Sequence, residues 1–347
     1  MDNDRMQIGR RAVLAAAAAA LATPALAQAD VGPDVAAAEK EGKVVWYTSI
    51  ELTVAEAVAK SFMQIHPKIT VQTERNGAER ILQRLTQEYS SNIHTADVIE
   101  SSDITIFELF KQKGWLAQYL PADVKKLWPA EERDPDGHYA TVRATLSTMG
   151  HNTELVKPAD APKGFRDMLD PKWNSKLVKA SPNYSGVIAV STYNMSKILG
   201  WDYFEKLAKQ HVMQVQSATQ PPKMISEGER PVAVDGGEYV FENYQKRGNP
   251  IAVIYPQEGV PMISGPAAVM QNAPRPHAAR LYADYLFSLQ AQQMMVSKAG
   301  LRSIHPDVKE PPGRPKLSQL KLMRSSAKEL FEHVEDAKKK YTEIFHV

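Results

Sequence analysis

Three short apolar runs, each followed by a polar tip and then a helical stripe, constrain this chain more than any other feature. Lys43-Val44-Val45-Trp46-Tyr47 stops at Thr48-Ser49-Ile50-Glu51, and a helix follows with Val54, Val58, Phe62 and Ile65 on one face. That helix ends before Pro67, because a proline pushes the residue ahead of it out of the α region. Ile69 to Glu74 alternates as a second strand, and Arg75-Asn76-Gly77 turns into a helix carrying Ile81, Leu82 and Leu85. Ala96 to Glu100 is a third strand, closed by Ser101-Ser102-Asp103 ahead of another helix. Continuous apolar runs suit strands buried on both faces. Three strand–loop–helix units in succession imply parallel βαβ winding, hence an α/β fold.

In such sheets ligands bind beyond the carboxyl ends of the strands. The chain places Thr48, Ser49, Glu51, Asn76, Ser101 and Ser102 there. Each tip precedes a helix, whose free N–H groups and dipole favour an anion. The same residue types also serve as plain N-caps, so one tip alone has two readings, and three together favour a ligand. Trp46 and Tyr47 could stack on a carbon skeleton, and Arg75 could be a counter-ion or simply solvated.

Tyr139 to Met149 reads as a strand leading out of this first unit, and a second set of elements follows. Leu177 to Ala180 is a strand whose tip, Ser181 to Gly186, opens a helix at Val187; Tyr184, Ser185 and Gly186 make another candidate cradle. Val212 to Gln216 is a strand, and Pro231 to Val234 is another, ending in Asp235-Gly236-Gly237-Glu238-Tyr239. Paired glycines allow a close backbone approach, which would turn Asp235, Gly236, Glu238 and Tyr239 toward a ligand. Glu238 also has the bland reading of a helix-start carboxylate favoured by the dipole.

Tyr255 opens a turn-rich stretch (Pro256, Gly259, Pro261) that leads into the apolar run Ala267 to Met270. After Asn272-Ala273-Pro274-Arg275, one helix is expected, with Pro276 at its first position. Ala278, Leu281, Tyr282, Tyr285, Leu286 and Leu289 form its stripe, and it should end near Gly300. With Gln290, Gln292, Gln293 and the closing Gly300-Leu301-Arg302-Ser303, this order resembles the return segment of periplasmic solute-binding proteins that serve bacterial ABC importers. His151-Asn152-Thr153 resembles that family's Tyr-Asn-Thr turn with His replacing Tyr, and Lys163 to Trp173 resembles a signature at the entrance of its second lobe.

The resemblance runs from about Val44 to Val308 and points to the group with ferric-iron-binding and phosphosugar- or phosphonate-binding members. It implies a type II two-lobed fold, each lobe a mainly parallel sheet flanked by helices, with the cleft between them. Residues 28–143 and 262–347 would form lobe 1, and 144–261 lobe 2. It further implies hinge closure on a solute and delivery to the membrane subunits of an ABC permease. Ferric-iron binders of the group carry two adjacent tyrosines where this chain has Glu238-Tyr239, because hard phenolate oxygens suit a hard trivalent cation. Only Tyr239 is kept. A carboxylate–phenolate iron site through Glu51, Glu238 and Tyr239 is therefore the alternative. The preferred ligand is a small phosphate-, phosphonate- or carboxylate-bearing solute, with Tyr184 or Tyr255 stacking on it and Arg302 as a further counter-ion.

Composition narrows the remaining classes. A chain of 347 residues with 43% apolar residues can bury a large core and suggests two domains. A net charge of +2 gives no strong field for nucleic acid, and a monomer is expected. Residues 1–27 read as a signal peptide, with Arg10-Arg11 ahead of an apolar core and Ala25-Leu26-Ala27 at the cleavage site. The paired arginines resemble a twin-arginine export signal; the apolar core falls short of the ~20 residues a membrane span needs. Cysteine is absent, so neither disulfides nor thiolate metal sites are available, and the expected location is the periplasm.

No H-E-x-x-H or G-x-S-x-G pattern is present, and no cofactor is expected. Ser325-Ser326-Ala327-Lys328 matches S-x-x-K without its partner motifs. A periplasmic hydrolase using carboxylates is the alternative from another class. Residues 316–347 read as a helical tail whose apolar face (Leu330, Val334, Ala337, Tyr341, Ile344) docks on a lobe.

Overall fold

The computed structural model describes residues 33–347. The signal-peptide reading of residues 1–27 lies outside them. Helix α1 (Val35–Glu41) precedes β1 (Lys43–Thr48), α2 (Leu52–Ile65), β2 (Thr70–Arg75), α3 (Ala78–Ser90), β3 (Val98–Glu100) and α4 (Thr105–Gln112). β1 lies between β2 and β3 and runs parallel to both, so Thr48 pairs with Arg75 and the strand tips collect at one edge. Alternation along β1 sends Val44 and Trp46 into one apolar cluster and Val45 and Tyr47 into another. Both faces of the strand are core, as its unbroken apolar run requires.

α5 (Ala122–Leu127) leads to β4 (Ala140–Leu146), the last pass through the first sheet before β5 (Met149–Asn152) enters a second one. There the chain forms β6 (Leu177–Ala180), α6 (Gly186–Leu199), α7 (Trp201–Ala208), β7 (Met213–Val215), α8 (Gln220–Ser226), β8 (Val232–Ala233), α9 (Glu238–Lys246) and β9 (Ile251–Ile254). β7, β6 and β8 are parallel, and β5 runs antiparallel between β8 and β9. β10 (Val260–Val269) returns to the first sheet, antiparallel to β4 and β3. The result is two sheet-bearing lobes joined by crossings at Ser147-Thr148 and between Tyr255 and Gly259.

The expected single helix after Pro276 is two: α10 (Pro276–Phe287) and α11 (Leu289–Ala299). Ser288 breaks it, with an extended ψ of 151° and a hydroxyl that accepts from Ala291 N at 3.4 Å. Leu289, the stripe residue beyond the break, is exposed, and the buried face of α11 is carried by Ala291, Met295, Val296 and Ala299 instead. β11 (Leu322–Met323) then pairs with the start of β10.

The tail helix α12 (Ala327–Phe345) rests on both lobes rather than one. Leu330 and Val334 pack with Ala189 and Val190 of α6 and with Ile263 of β10. On the second-lobe side Glu329 accepts from Tyr193 and Lys197, and Ser325 donates to Asn194. Toward the first lobe, Arg324 pairs with the buried Glu132, beside a cavity of about 760 Å³ lined by α4, residues 130–135 and the start of α12. Among the described residues no helix is long and apolar enough to cross a membrane.

Candidate functional site

One buried carboxylate ties the strand tips of the first lobe together. Glu100, the last residue of β3, accepts from Thr48 Oγ1 (2.7 Å), Ser49 N (2.8 Å) and Ile50 N (3.2 Å). The tip after β1 was expected to offer its N–H groups and Thr48 to an anion from solution; that expectation is corrected, because Glu100 is an anion supplied from within. Its counter-charge is Arg143 on β4, whose Nε donates to Glu100 Oε1 at 2.9 Å. Arg143 also donates to Thr145 Oγ1 (2.7 Å) and Ser49 Oγ (3.0 Å), and Ser49 Oγ accepts from Ser102 N (2.9 Å). Sequence reasoning passed over Arg143. The available signal was an arginine inside the strand Thr141-Val142-Arg143-Ala144-Thr145, since a charge in a covered strand requires a partner.

Ser49, Glu51, Arg143 and Tyr239 meet, with Ala299 and Leu301, around a cavity of about 20 Å³. That is room for about one water molecule. Tyr239 comes from the first turn of α9 in the second lobe and is half-buried. Burial pushes its phenol up from the ordinary value, while Arg143 and Arg75 pull the other way. Glu51 is exposed and caps its own helix, accepting from Val54 N at 3.3 Å.

Across the seam, Ser185 caps α6 by accepting from Ile188 N (3.4 Å). A Cβ on Gly186 would lie 3.1 Å from Asp103 Cβ and 3.6 Å from Ser102 O and Ala78 Cβ, so the start of α6 is seated on the first lobe. α3 begins after Asn76-Gly77 without a side-chain cap, and so does α9. These two starts thus differ from that of α6, whose cap residue Ser185 supplies a side-chain oxygen. Ser101 is buried and accepts from Asp103 N at 3.2 Å. Tyr184 is 65% exposed and points away from the core.

Several expected ligand residues are engaged elsewhere. Asp235 is buried in the second lobe, paired with Lys179 Nζ (2.8 Å) and accepting from Ala180 N (3.0 Å). The close approach that Gly236 permits is to the Phe241 ring, 2.8 Å from where a Cβ would sit. Glu238 accepts from Arg302 Nη2 (2.6 Å) and Nε (2.9 Å), Arg314 Nη2 (2.8 Å) and Tyr255 Oη (2.6 Å). Burial pushes its carboxyl up, but Arg302 and Arg314 outweigh that and hold it below the usual range. Glu238, Tyr255 and Arg302 thus satisfy one another. Trp46 lies edge-on to Tyr282 in the core, and Tyr47 donates to Glu88 (2.6 Å) beneath Arg84. Neither can stack on a solute, since strand alternation buries both.

Residues 94–317 match the model of the bacterial extracellular solute-binding protein family, more than half of the chain. The chain belongs to this family. Solute-binding proteins of this kind serve ABC importers, and the two-lobed architecture of this one has close structural counterparts. Iron-bound HitA from Pseudomonas aeruginosa superposes with a TM-score of 0.76 at 18% identity, covering 87% of this chain and 99% of that one. The periplasmic binding protein AfuA from Actinobacillus pleuropneumoniae, with fructose-6-phosphate bound, gives 0.79 at 21% identity, covering 88% and 99%. A ferric binding protein from Campylobacter jejuni gives 0.73 at 16%, covering 87% and 99%. At these identities the likeness is one of fold.

Proposed function

We propose that this solute-binding protein works in the periplasm, closing on a small phosphate-, phosphonate- or carboxylate-bearing solute and releasing it unchanged to the permease subunits of an ABC importer. The observation that carries the reading is Arg143 and Ser49 standing beside the Tyr239 phenol where the lobes meet. With the lobes parted, solute oxygens can accept from the guanidinium, the phenol, Ser102 and the uncapped starts of α3 and α9; the start of α6 then closes over them. Contacts made only in the closed form shift the population toward it. Each sheet with its helices is taken as one moving lobe, hinged at 147–148 and 255–259.

A thermal-shift screen with inorganic phosphate, 2-aminoethylphosphonate, fructose 6-phosphate, dicarboxylates and Fe(III) tests this. Solute present at 100 times its Kd adds about 2.7 kcal/mol of stability, and no compound should be consumed. Tyr239→Phe is expected to remove most of the shift while leaving the unliganded melting temperature in place. An unchanged shift would take Tyr239 out of the site.

Gly186→Val tests closure separately. The added methyl groups meet Asp103 across the seam, so the lobes should be propped apart with each lobe's fold intact. Each tenfold loss of closed population weakens apparent affinity about tenfold. Small-angle scattering should show a wider unliganded molecule; a wild-type profile and affinity would mean that α6 does not close on the first lobe.

Fe(III) is the second reading, favoured by Glu51 and Tyr239 lining the same cavity. Against it stand the Arg143 charge and Glu238, whose oxygens are already held by two arginines and Tyr255. Among the described residues no group of three or more His, Asp or Glu is placed to hold a metal. A visible charge-transfer band on adding Fe(III), lost in Tyr239→Phe, would decide for iron.

A further inference from the structure

We propose that Glu238 is a positioning residue for the capture site: clamped by two arginines of the first lobe, it holds Tyr239 beside Ser49 and Arg143 before the second lobe closes. This rests on the reading above that Tyr239 touches the solute.

α9 belongs to the second lobe along most of its length, where Phe241 packs with Val178, Ala233 and Ile251. Its first turn is held differently. Arg302 is bridged to Ala144 of β4 by paired backbone bonds, N to O at 3.1 Å and the reverse at 2.8 Å. Arg314 donates to Gly300 O and Leu301 O of the same loop (2.5 and 3.3 Å). Both arginines therefore move with the first sheet, and both converge on Glu238. Glu310 and Glu242 complete the charge balance, on Arg302 Nη1 at 2.9 Å and Arg314 Nε at 3.0 Å.

The backbone just ahead of Glu238 lies on the hinge itself. Thr148 N donates to Gly236 O at 2.9 Å, and Ser147 bridges to Gly237. Atoms near a rotation axis are displaced least, so the start of α9 keeps its place against the first lobe while the start of α6 swings. Tyr239 accordingly packs against the first lobe's core. The half-site of Ser49, Arg143 and Tyr239 is thus assembled in advance, and a solute docking on it loses little freedom to side-chain ordering. Buried guanidiniums require a charged acceptor with matching geometry, which explains a carboxylate at position 238.

The test uses the full chain with tyrosines labelled by ¹³C at Cζ, without solute. In Glu238→Gln the Tyr239 and Tyr255 resonances should shift or broaden, while those of the remote Tyr203 and Tyr282 stay put. A response from Tyr255 alone, or from all four, overturns the proposal: the first leaves Tyr239 unsupported by Glu238, the second makes the effect a general loosening. Arg314→Gln, which keeps Glu238 and removes one clamp arm, should give the same pattern should Glu238→Gln fail to fold. In a second arm, with inorganic phosphate as probe, Tyr239→Phe and Glu238→Gln should each weaken binding by about tenfold. The double variant should bind no more weakly than Tyr239→Phe. Additive losses would overturn the clamp. Wild-type binding retained by Tyr239→Phe would instead sink the capture reading, and the tyrosine resonances would still decide for or against the clamp.

Discussion

Asp235→Ala should destabilise the protein by about 3–5 kcal/mol, the loss that follows when one partner of a buried ion pair is removed. Asp235 and Lys179 are 1% and 0% exposed and 2.8 Å apart, and burial already pulls the Lys179 ammonium below the ordinary lysine value. Without Asp235 the ammonium keeps the Ala180 carbonyl, at 3.0 Å, and the face of Tyr341, 4.7 Å away, neither of which carries a compensating charge. Replacing both members by apolar residues, Lys179→Met with Asp235→Leu, should recover most of the loss, since an apolar pair of similar volume is often neutral or better. Urea unfolding of the single and double variants is the measurement. A single variant as stable as wild type would mean that the pair is not shut away from water. Solute affinity, measured well below the melting temperature, should change little, because Asp235 lies inside the second lobe.

Arg143 should show the opposite balance, with binding lost under a change that spares the fold. Arg143→Ala leaves Glu100 buried without a cation and should cost about 3–5 kcal/mol. Arg143→Lys keeps the charge beside Glu100, so the chain should fold. A lysine ammonium cannot reproduce a planar fork that reaches Glu100, Thr145 and Ser49 at once. One charge-assisted hydrogen bond contributes about 1.5–3 kcal/mol, so affinity in the lysine variant should fall about tenfold or more. Isothermal titration with the strongest binder of the solute screen measures it. Unchanged affinity in Arg143→Lys would remove Arg143 from the contact surface.

The fold was legible because its strands announce themselves. Lys43 to Tyr47 and Leu177 to Ala180 are apolar throughout, each ends in a polar tip, and helical stripes follow them. Ser49, Ser102 and Tyr239 became candidates for the same reason, since strand ends and helix starts are readable positions. What stayed hidden was partnership across the chain. Asp235 meets the backbone of Ala180 from 55 residues away, and Glu238 meets Arg302 from 64. A charged residue at a strand tip looks alike on paper whether its partner is a solute or a distant arginine. Arg143 was missed because a strand pattern marks it as an interruption rather than as the counter-charge of Glu100. The break at Ser288 escaped because Leu289 keeps the helical spacing of Tyr282, Tyr285 and Leu286 in the sequence, although it is exposed in the fold.

The seating of α12 has a practical consequence. Its hydrogen bonds run mainly to α6, and the roomy cavity lies on the other side, toward α4. The far end of α12 sits on the second lobe, where Tyr341 packs edge-on to Phe204 and donates to Gln214; in the proposed hinge motion a dye or surface tether joined beyond Val347 would ride with that jaw, a built-in pointer for reading out the movement.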